Sequence, residues 1–132
     1  MYEEEAELYR ALGDPIRLRI LALLRVREAC VCELVALLPI SQPAVSQHLR
    51  KLRQAGLVRE RRQKYWTYYA IRDDLPPVLR EIVARLPRDE DGEAWLMANH
   101  VGATCDSVVQ AAATGAPAPA EILQEGVSAH GR

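Results

Sequence analysis

Cysteine is scarce in this chain: only Cys30, Cys32 and Cys105 occur among 132 residues. An odd count cannot close into a disulfide framework, and three thiols fall far below the density with which small secreted domains staple themselves. The thiols are therefore expected to be reduced, in a cytoplasm. Long apolar runs are missing as well. No stretch approaches the roughly 20 residues that a membrane span requires, and the opening Met1-Tyr2-Glu3-Glu4-Glu5 is acidic where a secretory leader would be basic and then apolar. Neither a membrane anchor nor an export signal is expected, and no internal repeat occurs. At 132 residues and 49% hydrophobic content, the chain can build one core but not two.

A net excess of charge is the third absence, since the formal total is −1. The total conceals a segregation. Between Ser41 and Arg72 the cations Arg50, Lys51, Arg53, Arg59, Arg61, Arg62, Lys64 and Arg72 face Glu60 alone, a local net of +7. The compensating acids stand outside this stretch, at Glu3, Glu4, Glu5 and Glu7 and again at Asp89, Glu90, Asp91 and Glu93. A basic stripe inside a neutral chain is the electrostatic footprint of a nucleic-acid-binding face.

Apolar periodicity supplies the elements. Leu8 and Leu12, then Ile16, Leu18, Ile20, Leu21, Leu23 and Leu24, recur at helical spacing around Gly13-Asp14-Pro15. Glycine suits a helix end, aspartate an N-cap and proline a first turn, so one helix is predicted at about 3 to 12 and a second at about 15 to 26. A third is predicted from about Cys30 to Leu38, ended by Pro39. Ser41 caps a fourth, in which Val45, Leu49 and Leu52 face inward and Gln42, Ser46, Gln47, Arg50 and Arg53 outward, until Gly56. Leu57-Val58, the charged run Arg59 to Lys64, and Tyr65 to Ile71 read as a β-hairpin with a basic tip. Pro76-Pro77 opens a fifth helix carrying Val78, Leu79, Ile82, Val83 and Leu86, and Ala94 to Ala113 reads as a sixth. The organisation expected is a domain over 1–88, a helical extension over 89–113, and a disordered tail over 114–132 rich in Gly, Pro, Ala and Ser.

The predicted fold class is mainly α with a small β-hairpin, a winged helix-turn-helix. In such a unit the fourth helix enters the major groove of double-stranded DNA by its N-terminal half. Gln42, Ser46 and Gln47 stand where base edges would be read, because amides pair bidentately with adenine and short hydroxyls suit either partner. Ser41 lies at the same end. Arg50 and Lys51, later on the helix, are placed for phosphates, and Arg61, Arg62 and Lys64 at the hairpin tip for flanking backbone or minor groove.

Four segments carry a family resemblance: Ala11-Leu12-Gly13-Asp14-Pro15-Ile16-Arg17-Leu18-Arg19-Ile20-Leu21, Cys30-Val31-Cys32-Glu33-Leu34, Ser41-Gln42-Pro43-Ala44-Val45-Ser46-Gln47-His48-Leu49 and Ala55-Gly56-Leu57-Val58. Together they closely resemble the ArsR/SmtB family of bacterial metal-responsive repressors, over about residues 6 to 86. The resemblance implies a homodimer on a palindromic operator that dissociates on binding metal, paired through its first and fifth helices. It thereby places Leu8, Leu12, Leu79, Ile82, Val83 and Leu86 at the dimer interface, whereas periodicity alone reads them as core. Family wings commonly carry a glycine near the tip; this chain has Gln63-Lys64-Tyr65.

Thiolates select soft ions, and three of them suit a pyramidal ion such as As(III) or Sb(III). In a regular helix residues i and i+2 lie about 200° apart. Cys30 and Cys32 could then share an ion only if the first turn of the third helix unwinds, which would couple binding to the neighbouring recognition helix. The helix N-terminus is also expected to lower the thiol pKa. By resemblance, Cys-Val-Cys followed by Glu-Leu looks like the arsenite/antimonite site of ArsR proteins, in which a further cysteine can follow three residues on. That position is Val35 here, leaving Cys105 as the thiol to complete a trio. Cadmium and lead sensors of the family tend to add an N-terminal cysteine, absent before Cys30. His48, His100 and His130 lack the paired spacing of the zinc sensors. The expected effector is therefore As(III) or Sb(III), with no organic cofactor. The alternatives are a redox-sensing repressor pairing Cys30 or Cys32 with Cys105, a Cd(II) or Pb(II) sensor, and a thiol oxidoreductase. The last lacks a βαβ pattern and a Cys-x-x-Cys, and leaves the fourth helix unexplained, so no enzyme is expected.

Overall fold

A computed structural model describes residues 1–99. Helix α1 (Glu3–Leu12) and helix α2 (Pro15–Leu24) meet at Asp14, whose extended backbone lets its carboxylate accept the N–H groups of Ile16 at 2.9 Å and Arg17 at 3.1 Å. Pro15 fills the first helical position, where no donor is needed. Arg17 then reaches back, donating from Nε to the Ala11 carbonyl at 2.8 Å and from Nη2 to the Arg10 carbonyl at 2.9 Å. These carbonyls lie in the last turn of α1, and that of Arg10 also accepts the Gly13 N–H at 3.1 Å. The five residues Ile20 to Leu24 are all buried, which makes α2 the central rod of the core.

Helix α3 (Val31–Leu37) and helix α4 (Gln42–Gln54) form the helix-turn-helix. Val45, Leu49 and Leu52 of α4 are wholly buried. The helix stops through a Schellman arrangement: Gly56 takes φ 79°, its N–H donates to Arg53 at 3.0 Å, and the N–H of Leu57 donates to Leu52 at 3.0 Å. Leu57 is buried against the same core.

The wing differs from the predicted two-stranded hairpin. Strands β1 (Ala29–Cys30), β2 (Val58–Gln63) and β3 (Trp66–Ile71) form an antiparallel sheet of order β1-β3-β2. Two residues are too few to show alternation, so β1 carries no periodic signal. The charged run is also strand rather than tip, since the β2–β3 pairing extends from Val58↔Ile71 to Gln63↔Trp66. The turn is the dipeptide Lys64-Tyr65. Lys64, at φ 56°, is the one non-glycine residue with positive φ among those described.

Helix α5 (Pro77–Ala84) buries Leu79 and Val83. Arg25, at the end of α2, closes its C-terminus by donating Nη1 to the carbonyls of Val83 at 3.0 Å and Leu86 at 2.8 Å. Helix α6 (Glu90–Ala98) begins four residues ahead of the expected Ala94, because Asp89 is its N-cap, accepting the Gly92 N–H at 3.3 Å. Arg19 of α2 donates to the same carboxylate at 2.7 Å, and Leu96 enters the core. A Cβ on Gly92 would stand 2.6 Å from Leu23 Cδ2, so glycine permits this close approach of α6 to α2. The remainder of the predicted sixth helix and the tail lie outside the described residues. Among the described residues, no helix is long and apolar enough to cross a membrane.

Candidate DNA-binding face and thiol site

Ser41 caps α4 as its sequence position predicts, its Oγ accepting the Ala44 N–H at 3.3 Å. Gln42, Gln47, Arg50, Lys51 and Arg53 are exposed and Ser46 is half-buried, so the candidate base-reading and phosphate-contacting side chains share the face opposite the buried stripe. His48 does not belong to that set. Its Nδ1 lies 3.2 Å from Arg17 Nη1 and 4.0 Å from an Asp14 oxygen, tying α4 to the entrance of α2. Burial works to raise the Asp14 carboxyl, yet the Arg17 N–H, the His48 and Arg17 charges and the Ile16 N–H together hold it below the ordinary aspartate value.

The basic residues of the wing divide. Arg62 and Lys64 are exposed, whereas Arg61 is half-buried. Its Nη2 pairs with Glu28 Oε1, its Nε donates to Glu28 Oε2 at 3.3 Å, and its Cζ lies 4.7 Å from the centroid of the Tyr68 ring. A cation over an aromatic face and beside a carboxylate is held twice. Arg53 is engaged at 3.4 Å by Glu60, which also accepts the Tyr69 hydroxyl at 3.1 Å.

Cys30 is 1% exposed and stands outside the helix that was predicted to begin with it. Pairing with Tyr68 in β3 keeps its backbone extended, φ −83° and ψ 164°, and it serves as the N-cap of α3. Cys32 is half-buried in the first turn of α3. Cys30 and Tyr68 form a small apolar cluster of their own, with Cys32 and Trp66 packed against it. The 200° separation expected of two helical positions therefore does not describe this pair, because only Cys32 is helical.

Beneath the pair lies a wholly buried carboxylate. Glu33 Oε1 accepts the Cys30 N–H at 3.0 Å, and Arg27 donates to Oε1 at 3.2 Å and to Oε2 at 2.8 Å. Arg27 also donates to the Leu96 carbonyl of α6 at 3.2 Å, so one guanidinium joins the start of α3 to the end of α6. This environment reverses the expected thiol pKa. Burial, aided by the Glu33 carboxylate, pushes the Cys30 thiol up to about 12, outweighing the N–H groups of Glu33 and Cys32. Nothing in the sequence patterns marks Arg27, Glu28, Trp66 or Tyr68 as neighbours of the thiols. Only Glu33, a charge inside the apolar run from Val31 to Leu38, signals that a buried cation must be found for it. Among the described residues, no group of three or more His, Cys, Asp or Glu side chains could hold a metal ion. Cys105, the expected third thiol, lies outside the described residues, as do His100 and His130.

The model of the arsR family of bacterial regulatory proteins matches residues 14–60, which run from the N-cap of α2 into β2. An uncharacterized HTH-type transcriptional regulator of Methanocaldococcus jannaschii is 41% identical over 86 residues, covering 64% of this chain and 97% of that protein. The chain belongs to the ArsR/SmtB family. Another relative of this ArsR-family regulator is the arsenical resistance operon repressor of Escherichia coli, 38% identical over 90 residues, which are 67% of this chain and 70% of the relative. Among solved structures, HlyU from Vibrio cholerae superposes with a TM-score of 0.55 at 35% identity, covering 63% of this chain and 90% of its own. The fold is thus the family's winged helix-turn-helix, and the family consists of transcriptional regulators rather than enzymes.

Proposed function

We propose that this chain is a homodimeric, cytoplasmic transcriptional repressor that sits on a palindromic operator and leaves it when As(III) or Sb(III) is taken up by Cys30 and Cys32. The observation that carries the effector reading is the single cluster shared by both cysteines at the head of the helix-turn-helix. The donor set suits a soft, hydroxylated metalloid. When arsenous acid meets the two cysteines in their reduced form, two of its three As–O bonds are replaced by As–S bonds, each thiol proton leaves with a hydroxide as water, and the oxidation state of arsenic is unchanged. A buried thiol such as Cys30 can bind by this exchange without first ionising. One As–O bond remains, and Cys105 is the thiol that could replace it. The name of the E. coli relative points to the same effector class.

The outer helices support the dimer. Leu79 and Val83 turn into their own core, while Leu8 and Leu12 of α1, and Ile82 and Leu86 beyond or within α5, are only partly covered. Tyr9 and Val78 on the same two helices are 61% and 66% exposed. On DNA, Gln42, Ser46 and Gln47 would read base edges from the Ser41 end of α4, with Arg50, Lys51, Arg62 and Lys64 on phosphates.

A mobility shift on the protein's own promoter tests the effector reading. Arsenite should dissociate the wild-type complex and spare those of Cys30→Ser and Cys32→Ser, each of which must still bind DNA without arsenite. Retention of the Cys105→Ser complex would assign Cys105 as the third ligand, and its release would leave a two-thiol site. If arsenite leaves the wild-type complex intact, the metalloid reading fails.

A further inference from the structure

We infer that His48 is the positioning residue that anchors the recognition helix α4 to the rest of the fold, and that protonating its Nδ1 releases the anchor. The inference rests on the DNA-binding half of the reading above and is independent of the effector. Arg17 is the hub of the arrangement. Its Nε and Nη2 donate to the Ala11 and Arg10 carbonyls of α1 at 2.8 and 2.9 Å, and its Nη1 lies 3.2 Å from His48 Nδ1 on α4. One guanidinium thus joins α1, α2 and α4, and it meets α4 at the residue next to Gln47, a candidate base reader. A guanidinium offers only N–H donors and keeps its charge in proteins, so the contact is a hydrogen bond only while Nδ1 carries a lone pair. The anchored ring is therefore neutral and holds its proton on Nε2.

Protonation turns this contact into a repulsion, with N–H groups and positive charge on both sides. Among the described residues, the charged groups within reach of Nδ1 both come from the entrance of α2: Arg17, and Asp14, whose Oδ1 is 4.0 Å away. On α4 itself the neighbouring cations Arg50 and Lys51 are exposed. Asp14 does not replace the anchor freely, because the same oxygen already accepts the N–H groups of Ile16 and Arg17 as the N-cap of α2. An imidazolium pushed from Arg17 and drawn to Asp14 changes the seat of α4 on α2. Base edges are read only while that seat is kept, since a reading constellation tolerates little displacement.

The test is DNA binding by the full chain, without arsenite and at fixed salt, from about pH 8 down to about pH 5, the range in which imidazole side chains change charge. Wild type, His48→Asn and His48→Leu are titrated against the operator and a non-operator duplex of equal length. Wild type should lose roughly tenfold in operator affinity at the acid end, equivalent to about 1.4 kcal/mol. The non-operator duplex should lose none, because added positive charge does not weaken attraction to phosphates. His48→Asn sets an acceptor that never protonates where Nδ1 stood; it should hold the alkaline affinity within roughly threefold, the scale of one neutral hydrogen bond, and show no acid loss. His48→Leu, which accepts nothing, should bind the operator weakly at every pH. A phosphate contact at His48 gives the opposite sign, with operator affinity rising in acid. That rise, a wild-type affinity flat across the range, or an acid loss undiminished in His48→Asn would each overturn the anchor. The tautomer is read separately from the ring nitrogen chemical shifts of the free protein, with His48 assigned by its loss from the His48→Asn spectrum. A bare Nδ1 at the alkaline end sustains the inference, and a protonated Nδ1 there overturns it. If the chain binds no promoter DNA at any pH, the DNA-binding reading fails by itself, and the tautomer still decides the anchor.

Discussion

Arg27 holds Glu33 by both carboxylate oxygens, at 3.2 and 2.8 Å, with Glu33 fully removed from solvent. A buried carboxylate that also accepts the Cys30 N–H fixes the start of α3 and the thiol with it.

Removing one partner leaves the other charge buried without compensation. Arg27→Met is expected to cost about 3–5 kcal/mol of stability. Glu33→Gln, which keeps the shape and an acceptor for the Cys30 N–H, should cost less. Urea unfolding of the two variants against wild type measures both, and equal losses would contradict the assignment.

The wing turn stores backbone strain at Lys64, where an L-residue in the left-handed region costs about 1–2 kcal/mol. Lys64→Gly should therefore raise the thermal midpoint while lowering operator affinity, with the salt slope reduced by about one if the ammonium meets a phosphate. A lowered midpoint would show that the lysine side chain, not the backbone, governs this turn.

On α4, base reading and phosphate contact separate by their sequence dependence. Gln47→Ala should cost about 1–3 kcal/mol on the cognate operator and relax preference at one base pair of each half-site. Arg50→Ala should weaken binding to all sequences alike. Titration against a panel of single-base operator variants distinguishes them, and uniform loss for Gln47→Ala would remove it from the base-reading set.

Asp14 makes stability depend on pH in a definite direction. Its folded pKa lies below the unfolded value, so its contribution is present above the ordinary aspartate range and is lost as pH falls through the folded pKa. Asp14→Asn keeps an N-cap but not the charge. Wild type should be the more stable at pH 7, with the gap closing below about pH 4. A gap that persists into acid would assign the effect to hydrogen bonding alone.

Much of the architecture was legible because it follows from local rules. Asp14-Pro15 starts a helix and Gly56 ends one wherever they occur beside an apolar stripe. The aromatic and β-branched residues of the wing signal a hairpin. The position of its turn is not legible, because Arg59 to Gln63 look like a loop by composition although they lie in a paired strand. The outward set Gln42, Ser46, Gln47, Arg50 and Lys51 was readable because a 3.6-residue period fixes which residues oppose Val45, Leu49 and Leu52.

The thiol site divides along the same line. Sequence by itself determined that two thiols stand at the entrance to a helix-turn-helix within a basic, ArsR-like segment, since ligand type and spacing are chemical facts of the chain. Only the tertiary structure decided what surrounds them. Strand β1 exists because β3, nearly forty residues later, supplies its hydrogen-bond partners, and that pairing holds Cys30 extended instead of helical. Burial beside Glu33 then raises a thiol that a helix N-terminus alone would acidify. The neighbours that set its conformation and its charge are distant in sequence, and no local periodicity records them.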